Sequence, residues 1–162
     1  MDVNGFKGPN SEARNGKQYD IRSFIVAKFS KGCAGVEVPN IGCVYQLPSY
    51  SPIKGGSEEM KKWDPNWTTE KVGSWASTDN YLAGAKKACD DIGMSLPDKS
   101  KLQSIYEAGK KDSSLGLPTS GLFLSSSEYT AIDTCYVSFS NGGSGNGSKY
   151  YGSIDKVLCV GD

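Results

Sequence analysis

Histidine is absent from the 162 residues of this chain. Histidine is the usual general base of serine and cysteine hydrolases, and it is the commonest protein ligand of transition metals. Its absence excludes most familiar catalytic arrangements. We therefore expect a protein that is not an enzyme and that uses no cofactor and no metal centre.

The chain also lacks net charge and long apolar runs. Eighteen basic and eighteen acidic side chains cancel, and no block of lysine or arginine occurs. A nucleic acid or an anionic membrane surface would require such a block, so we expect neither as a partner. No signal peptide and no bilayer-spanning stretch is present, so export would need a targeting segment that this sequence does not contain.

Five cysteines are present, without the paired CxxC spacing that is typical of zinc sites. Disulfides in an oxidising, extracellular compartment are the better interpretation. Cys33 and Cys43 flank a turn-forming segment and are predicted to pair locally. Cys89 and Cys159 are predicted to join a helix to the last strand. This leaves Cys135 as a buried free thiol, or alternatively as a reactive or dimer-forming one.

Two helices are predicted in the middle of the chain. The first begins after Ser77-Thr78-Asp79, any of which can cap it, and ends at Gly93. The second is capped by Asp98. Residues 19–29 predict a strand, and 46–75 predict a long ordered loop with short helical turns, whose three tryptophans we interpret as packing residues rather than sugar-stacking ones.

The last forty residues differ in composition from the rest of the chain. Thr130–Asp155 is dominated by Ser, Gly, Asn and Tyr, which suits adaptable binding loops, although an ordinary Gly/Ser loop has the same composition. The flanking segments 135–139 and 156–160 predict strands. In the first, alternation places Cys135, Val137 and Phe139 towards the core and the residues between them towards solvent.

The order of motifs from Tyr81 to Asp162 resembles a bacterial C-type lectin-like domain. The resemblance rests on the cysteine-bearing helix, SLPDKSKLQSIYE, FLSSSEY, CYVSFSNG and VLCVGD. It implies an α+β fold over residues 46–162, with two helices packed on a small, mainly antiparallel twisted sheet and many loops. Such domains occur at the ends of adhesins and in the variable proteins of diversity-generating retroelements. The sugar-binding signatures of calcium-dependent lectins are missing.

The resemblance to variable proteins implies a fixed frame and a variable binding face. The frame positions are Ser125, Ser126, Glu128, Tyr129, Val137, Phe139, Gly142, Lys149, Cys159 and Val160. The candidate ligand-binding positions are Thr130, Ile132, Asp133, Ser138, Ser140, Ser144, Asn146, Tyr150, Tyr151, Ser153 and Ile154. Glu128 has no second carboxylate placed beside it by any motif, so we expect it to serve as a structural hydrogen-bonding residue.

The segment DVNGFKGPN at residues 2–10 resembles part of type IV pilin-like proteins, where it follows an apolar helix used for membrane insertion. This implies a short pilin-like β segment over residues 1–45, with membrane contact only through the missing helix. The expected function is extracellular adhesion at the cell surface, with an unknown protein or glycan as ligand and pilus subunits as further partners. The alternative is a structural pilin subunit with no ligand of its own.

An enzymatic alternative also follows from the resemblance, because the lectin-like fold hosts the formylglycine-generating oxidases. Those enzymes need a reactive pair of cysteines. The two predicted disulfides do not resemble such a pair, so this alternative is not preferred.

Overall fold

The computed structural model describes residues 32–150, 152, 154 and 156–161, and within them the fold is α+β. The strands are β1 (Val36–Val38), β2 (Gly42–Gln46), β3 (Leu122–Glu128), β4 (Asp133–Ser138), β5 (Ser144–Ser148) and β6 (Leu158–Gly161). The α-helices are α1 (Glu58–Trp63), α2 (Thr69–Val72), α3 (Tyr81–Asp91) and α4 (Lys99–Lys111). Short 3₁₀ turns cover Gly73–Trp75 and Ser113–Leu115.

The strands form two three-stranded antiparallel sheets, ordered β1-β2-β6 and β3-β4-β5. The sequence predicted one small sheet. The sheets are separate because β6 pairs along its length with β2. The segment before β6 is connected to the second sheet through an isolated bridge between Phe123 and Lys156. The α+β class and the antiparallel pairing agree with the prediction.

Helix α3 begins one residue later than predicted. Its cap is Asn80, whose side-chain oxygen accepts a hydrogen bond from the amide of Ala83 at 2.9 Å, and not one of the three preceding polar residues. Helix α4 is capped by Asp98 as predicted, with 2.7 Å to the amide of Lys101. Gly93 follows α3 with φ of 74°, which suits a helix C-terminus.

Both faces of β4 pack against a core cluster, and this corrects the predicted alternation of one buried and one solvent-exposed face. Val137 and Phe139 pack beneath α4, while Tyr136 on the other face packs against the cluster that contains the Cys89–Cys159 disulfide. Thr134, expected to face solvent, is fully buried because its hydroxyl donates to the carbonyls of Ser125 and Ser127. Two cores on either side of one sheet leave β4 without an open face.

Two disulfides are present in the described part of the chain. Cys33 is bonded to Cys43 and Cys89 to Cys159, the pairs that the sequence predicted. The second bond fastens α3 to β6 across 70 residues of sequence. Cys135 is a free thiol, and it is half-buried rather than fully buried.

The predicted strand at residues 19–29 and most of the predicted pilin-like segment lie outside the described residues. The proposed domain boundary at residue 45 therefore stays a prediction. Among the described residues, no helix is both long enough and apolar enough to cross a membrane.

Candidate ligand-binding face

The predicted binding residues divide between the two ends of the β4–β5 hairpin. Strand β4 has six residues, so its ends are separated by roughly 17 Å at the usual rise of a strand. The group at one end is Thr130, Ile132, Asp133 and Tyr150. The group at the turn is Ser138, Ser140 and Ser144, while Asn146 lies between them, opposite Cys135. A small ligand cannot contact both groups at once.

At the turn end, the polar groups mostly form hydrogen bonds within the turn itself. The hydroxyl of Ser138 accepts a hydrogen bond from the amide of Ser140, and its carbonyl accepts one from the amide of Gly142. A side chain at Gly142, where φ is 78°, would collide with the ring of Tyr106. Ser140 and Ser144 are exposed, but neither of the two large hydrophobic side chains that are exposed in the described residues lies at this turn. This end offers few contacts to a partner.

The other end carries a pair of stacked aromatic rings. Trp75 and Tyr150 lie 4.2 Å apart between ring centroids and only 13° from parallel. Trp75 remains 37% exposed, and Tyr129, which follows β3, is 63% exposed. We call Trp75, Tyr129, Ile132 and Tyr150 the aromatic end of the hairpin. It contains the two large hydrophobic side chains that are exposed in the described part of the chain.

The loop between β3 and β4 supports this aromatic end. The hydroxyl of Thr130 accepts hydrogen bonds from the amides of Ile132 and Asp133, at 3.2 and 3.0 Å. The carbonyl of Ile132 accepts a hydrogen bond from the amide of Lys149, which immediately precedes Tyr150. Thr130 is exposed and also stabilises the turn. The backbone of Ile132 is held next to that of Lys149 and Tyr150.

One predicted position is buried, and two others lie outside the described residues. Ile154 is 3% exposed and belongs to the core cluster around the Cys89–Cys159 disulfide, so it was wrongly assigned to the binding face. Its apolar side chain packs close to Gly147, leaving no room for a side chain there. Tyr151 and Ser153 lie outside the described residues.

A buried polar network lies beneath the aromatic end and consists of Asp64, Asn66, Asn80, Glu128 and Lys149. The Nζ atom of Lys149 is 2.9 Å from Oδ2 of Asp64 and also contacts Oε1 of Glu128. Asn80 donates to the same Asp64 oxygen at 2.8 Å. The side chains of Lys149 and Asp64 are completely buried. Burying an isolated charge is very costly in free energy, so each of these charges can be buried only because its partner is present.

Each member of the network is positioned by a neighbouring element. Asp64 terminates α1, where its amide donates to the carbonyl of Met60 at 2.8 Å. Its Oδ1 atom accepts a hydrogen bond from the amide of Asn66. Asn80 caps α3 and also donates a hydrogen bond to Asp64. Lys149 follows β5, and its carbonyl accepts the amide of Tyr81. The network therefore connects the segment after α1 to the end of β5, which is followed by Tyr150.

Glu128 is the partly exposed member of the network, with 23% of its side chain accessible. Burial by itself would raise the pKa of the Glu128 carboxyl. The hydrogen bond and charge of Lys149, assisted by Asn66 and by the charge of Lys86, outweigh burial and hold this pKa below its ordinary value. Glu128 therefore has the hydrogen-bonding role expected from the sequence.

Several residues of this region were not identified by sequence reasoning. Trp75 was interpreted as a packing residue and Tyr129 as part of the frame, yet both rings are exposed. Trp67 does pack as predicted, with 4% exposure. Asp64 and Asn80 carried no motif that would link them to Lys149. Asp64 lies between two tryptophans in sequence. A carboxylate with such large apolar neighbours could have indicated a buried, paired charge.

In comparisons with protein-family models, curated proteins and solved structures, the chain has no match. Within residues 32–150 and the described positions beyond them, no group of three or more acidic or cysteine side chains is arranged to hold a metal ion.

Proposed function

We propose that this protein is an extracellular ligand-binding module, a pilin-like surface protein whose head is a C-type lectin-like domain with a variable binding face. An α+β domain with two disulfides is compatible with this fold and with an oxidising, extracellular location. The order of sequence motifs from Tyr81 to Asp162 supports the same assignment.

The observation that carries the proposal is the stack of the exposed Trp75 ring on the half-buried Tyr150 ring. Large aromatic side chains combine a wide contact area with few rotatable bonds, so they bind partners at a low cost in conformational entropy. Tyr129 adds a second exposed ring, and Asp133 and Thr130 add polar groups beside it. Aromatic residues of this kind are the usual energetic centres of binding surfaces.

The network beneath the aromatic end supports this role. Binding is stronger when the contacting residues are held in place before the ligand arrives. Lys149 is fixed by two carboxylates immediately before Tyr150, while Thr68 caps the helix that leads to Trp75. The two stacked rings are therefore presented from a fixed base by two different parts of the chain.

The test is a binding screen of the full-length chain against a printed glycan array and a panel of purified cell-surface ectodomains. The Trp75→Ala/Tyr150→Ser variant should lose at least ~10-fold in affinity for any partner found, since residues at binding centres contribute about 2 kcal/mol or more. Circular dichroism should show that the variant remains folded, because Trp75 is partly exposed and Tyr150 lies at the edge of its core cluster.

The matched control is Ser144→Ala/Asn146→Ala, which alters exposed residues away from the aromatic end. This variant should retain wild-type affinity. Equal losses in both variants would contradict the placement of the site. Failure of the wild-type chain to bind either set of probes would instead favour a structural pilin subunit with no ligand of its own.

A further inference from the structure

A primary amine and two carboxyl groups meet in the interior of this protein. The Nζ atom of Lys149 is 2.9 Å from Oδ2 of Asp64 and contacts Oε1 of Glu128. No surface of the Lys149 or Asp64 side chain is accessible. Around them lie Trp67, whose ring centroid is 6.0 Å from Nζ, and the apolar cluster that contains Met60. The amine and the carboxyl are thus in contact in a site that excludes water.

We propose that Lys149 and Asp64 condense to form an intramolecular isopeptide bond, with Glu128 as the proton carrier. This inference does not depend on the proposed binding function. Glu128 takes a proton from the ammonium of Lys149 and passes it to the Asp64 carboxyl, and the neutral amine attacks Cγ of this neutral acid. As the C–N bond forms, Glu128 carries a second proton from the nitrogen to the departing oxygen. The C–O bond of the Asp64 carboxyl breaks, and that oxygen leaves as one water molecule. The products are a neutral amide and a regenerated Glu128 carboxylate, so no cofactor or oxidant is needed.

Asp64 is better placed than Glu128 to be the group attacked. Its Oδ2 atom accepts a hydrogen bond from Asn80, and its Oδ1 atom accepts one from the amide of Asn66 at 3.2 Å. Donors on both oxygens withdraw electrons from Cγ and stabilise the negative charge that develops on oxygen during attack. Asp64 is also completely buried, so the water that would reverse the reaction is excluded.

Glu128 is suited to carry the proton. Its Oε1 atom contacts Nζ of Lys149, and Asn66 donates to the same oxygen at 3.2 Å, which holds the carboxylate in place. In the ion pair, the Lys149 ammonium keeps Glu128 in its carboxylate form, and the direct contact between Nζ and Oε1 is the path along which the proton moves. The partial exposure of Glu128 gives the released water molecule a route to solvent.

The energetic argument rests on proximity and desolvation. An amine and a carboxylate in dilute water do not condense, because both ions are strongly hydrated and must first be brought together. Here folding has already oriented the two groups, and well-oriented intramolecular reactions reach very high effective molarities. Burial removes the hydration that stabilises both ions. Condensation would replace two buried charges by one neutral amide, whose carbonyl can retain the hydrogen bond from Asn80.

The bond would join two residues that are 85 positions apart in sequence. It would fasten the turn after α1 to the strand end that precedes Tyr150. A covalent link of this kind lowers the entropy of the unfolded chain, as a disulfide does, but it resists reduction. The described disulfides do not connect these two segments.

The experiment is intact-mass spectrometry of the full-length protein after complete reduction and denaturation. We expect the wild-type mass to be lower than the sequence mass by one water molecule. Proteolytic digestion should give a branched peptide that joins Lys149 to Asp64. The Glu128→Gln variant keeps a side chain of the same shape. Its rate of bond formation should be lower by about 100-fold or more, as expected for loss of a proton-transfer group.

Two variants complete the design. Lys149→Arg keeps the positive charge without an amine nucleophile and should retain the full sequence mass, and so should Asp64→Ala even if it folds poorly. Lys87→Arg is the matched surface control and should lose one water like the wild type. A wild-type protein of full sequence mass would overturn the proposal, and so would a branch mapped to Glu128. Equal rates in the wild type and Glu128→Gln would overturn the role of Glu128.

Discussion

Two lysine–aspartate pairs in this chain have nearly the same geometry and opposite surroundings. Lys149 is 2.9 Å from Asp64 in the interior, and Lys87 is 3.0 Å from Asp91 on the outer side of α3. The first pair is completely buried, whereas the second pair has 36% and 44% of its side chains exposed. Distance alone therefore does not decide what an ion pair contributes. Access of water and the number of additional partners decide it.

The two pairs also differ in how they connect the fold. Lys87 and Asp91 are four residues apart on one helix, so their contact is local and joins nothing beyond α3. Lys149 and Asp64 come from distant parts of the chain, and Asn80 and Glu128 complete the shell around them. Loss of the surface pair exposes two charges to water, but loss of one buried partner leaves a charge without compensation.

The largest effect should follow from Lys149→Met, which removes the buried cation and keeps a side chain of similar length. Asp64 and Glu128 would then face each other across an apolar site. We expect the free energy of unfolding to fall by roughly 3–5 kcal/mol, the usual result when one partner of a buried pair is removed. Urea denaturation at neutral pH, followed by circular dichroism, measures this loss.

The control is the double variant Lys149→Met/Asp64→Leu, which removes both buried charges together. Replacement of a buried pair by apolar residues of similar volume is often tolerated, so the double variant should recover part of the lost stability. A double variant that is less stable than Lys149→Met would indicate that the aspartate contributes mainly through its bonds to Asn66 and Asn80.

An intermediate effect is expected from acid. The pKa of Glu128 is lowered in the folded protein from its ordinary value of 4.5, so its stabilising contribution is complete above that value. The contribution is lost as the pH falls through the lower pKa of the folded state, because protonation then breaks the contact with Lys149. In the ion-paired form of the protein, before Lys149 condenses with Asp64, urea midpoints measured between neutral and acidic pH should fall more steeply than those of Glu128→Gln.

The surface pair supplies a control for this acid test, and the proposed covalent bond predicts a different outcome. Lys87 and Asp91 do not contact Glu128, so Lys87→Met should leave the steepness unchanged. Condensation of Lys149 with Asp64 would remove the cation that lowers the pKa of Glu128. Equal slopes for the wild type and Glu128→Gln would therefore contradict the ion-paired form and agree with a condensed one, which the intact mass decides independently.

Local features of this fold were predictable from the sequence, and distant polar contacts were not. Helix α4 follows directly from Asp98 and from the spacing of Leu102 and Ile105, since capping and periodicity act within a few residues. The disulfide partners were also predicted, because one pair of cysteines flanks a turn-forming segment and the other pair lies on a helix and on the last strand. The cap of α3 was misplaced because several polar residues precede it, and only the tertiary contact with Asp64 favours Asn80.

The candidate site was predicted in part, for the same physical reason. The sequence indicated Tyr150, because tyrosine in a Ser/Gly/Asn-rich segment is typical of a binding surface. It did not indicate Trp75, whose exposure depends on a stack with a residue that is distant in sequence. Strand alternation failed at Thr134 because the second sheet has a core on each side, which no single-strand pattern can reveal.

The smallest effect should come from Lys87→Met, the surface counterpart of Lys149→Met. An exposed pair four residues apart on a helix contributes about 0.3–0.5 kcal/mol, since water competes for both ions and salt screens them. The same urea titration should show a loss of this size at low salt and almost none at about 1 M salt, where the screening length is about 3 Å. The loss in Lys149→Met should persist in high salt, because buried pairs are screened much less. If the two losses were of similar size, or if salt removed both, burial would not be the property that distinguishes the two pairs.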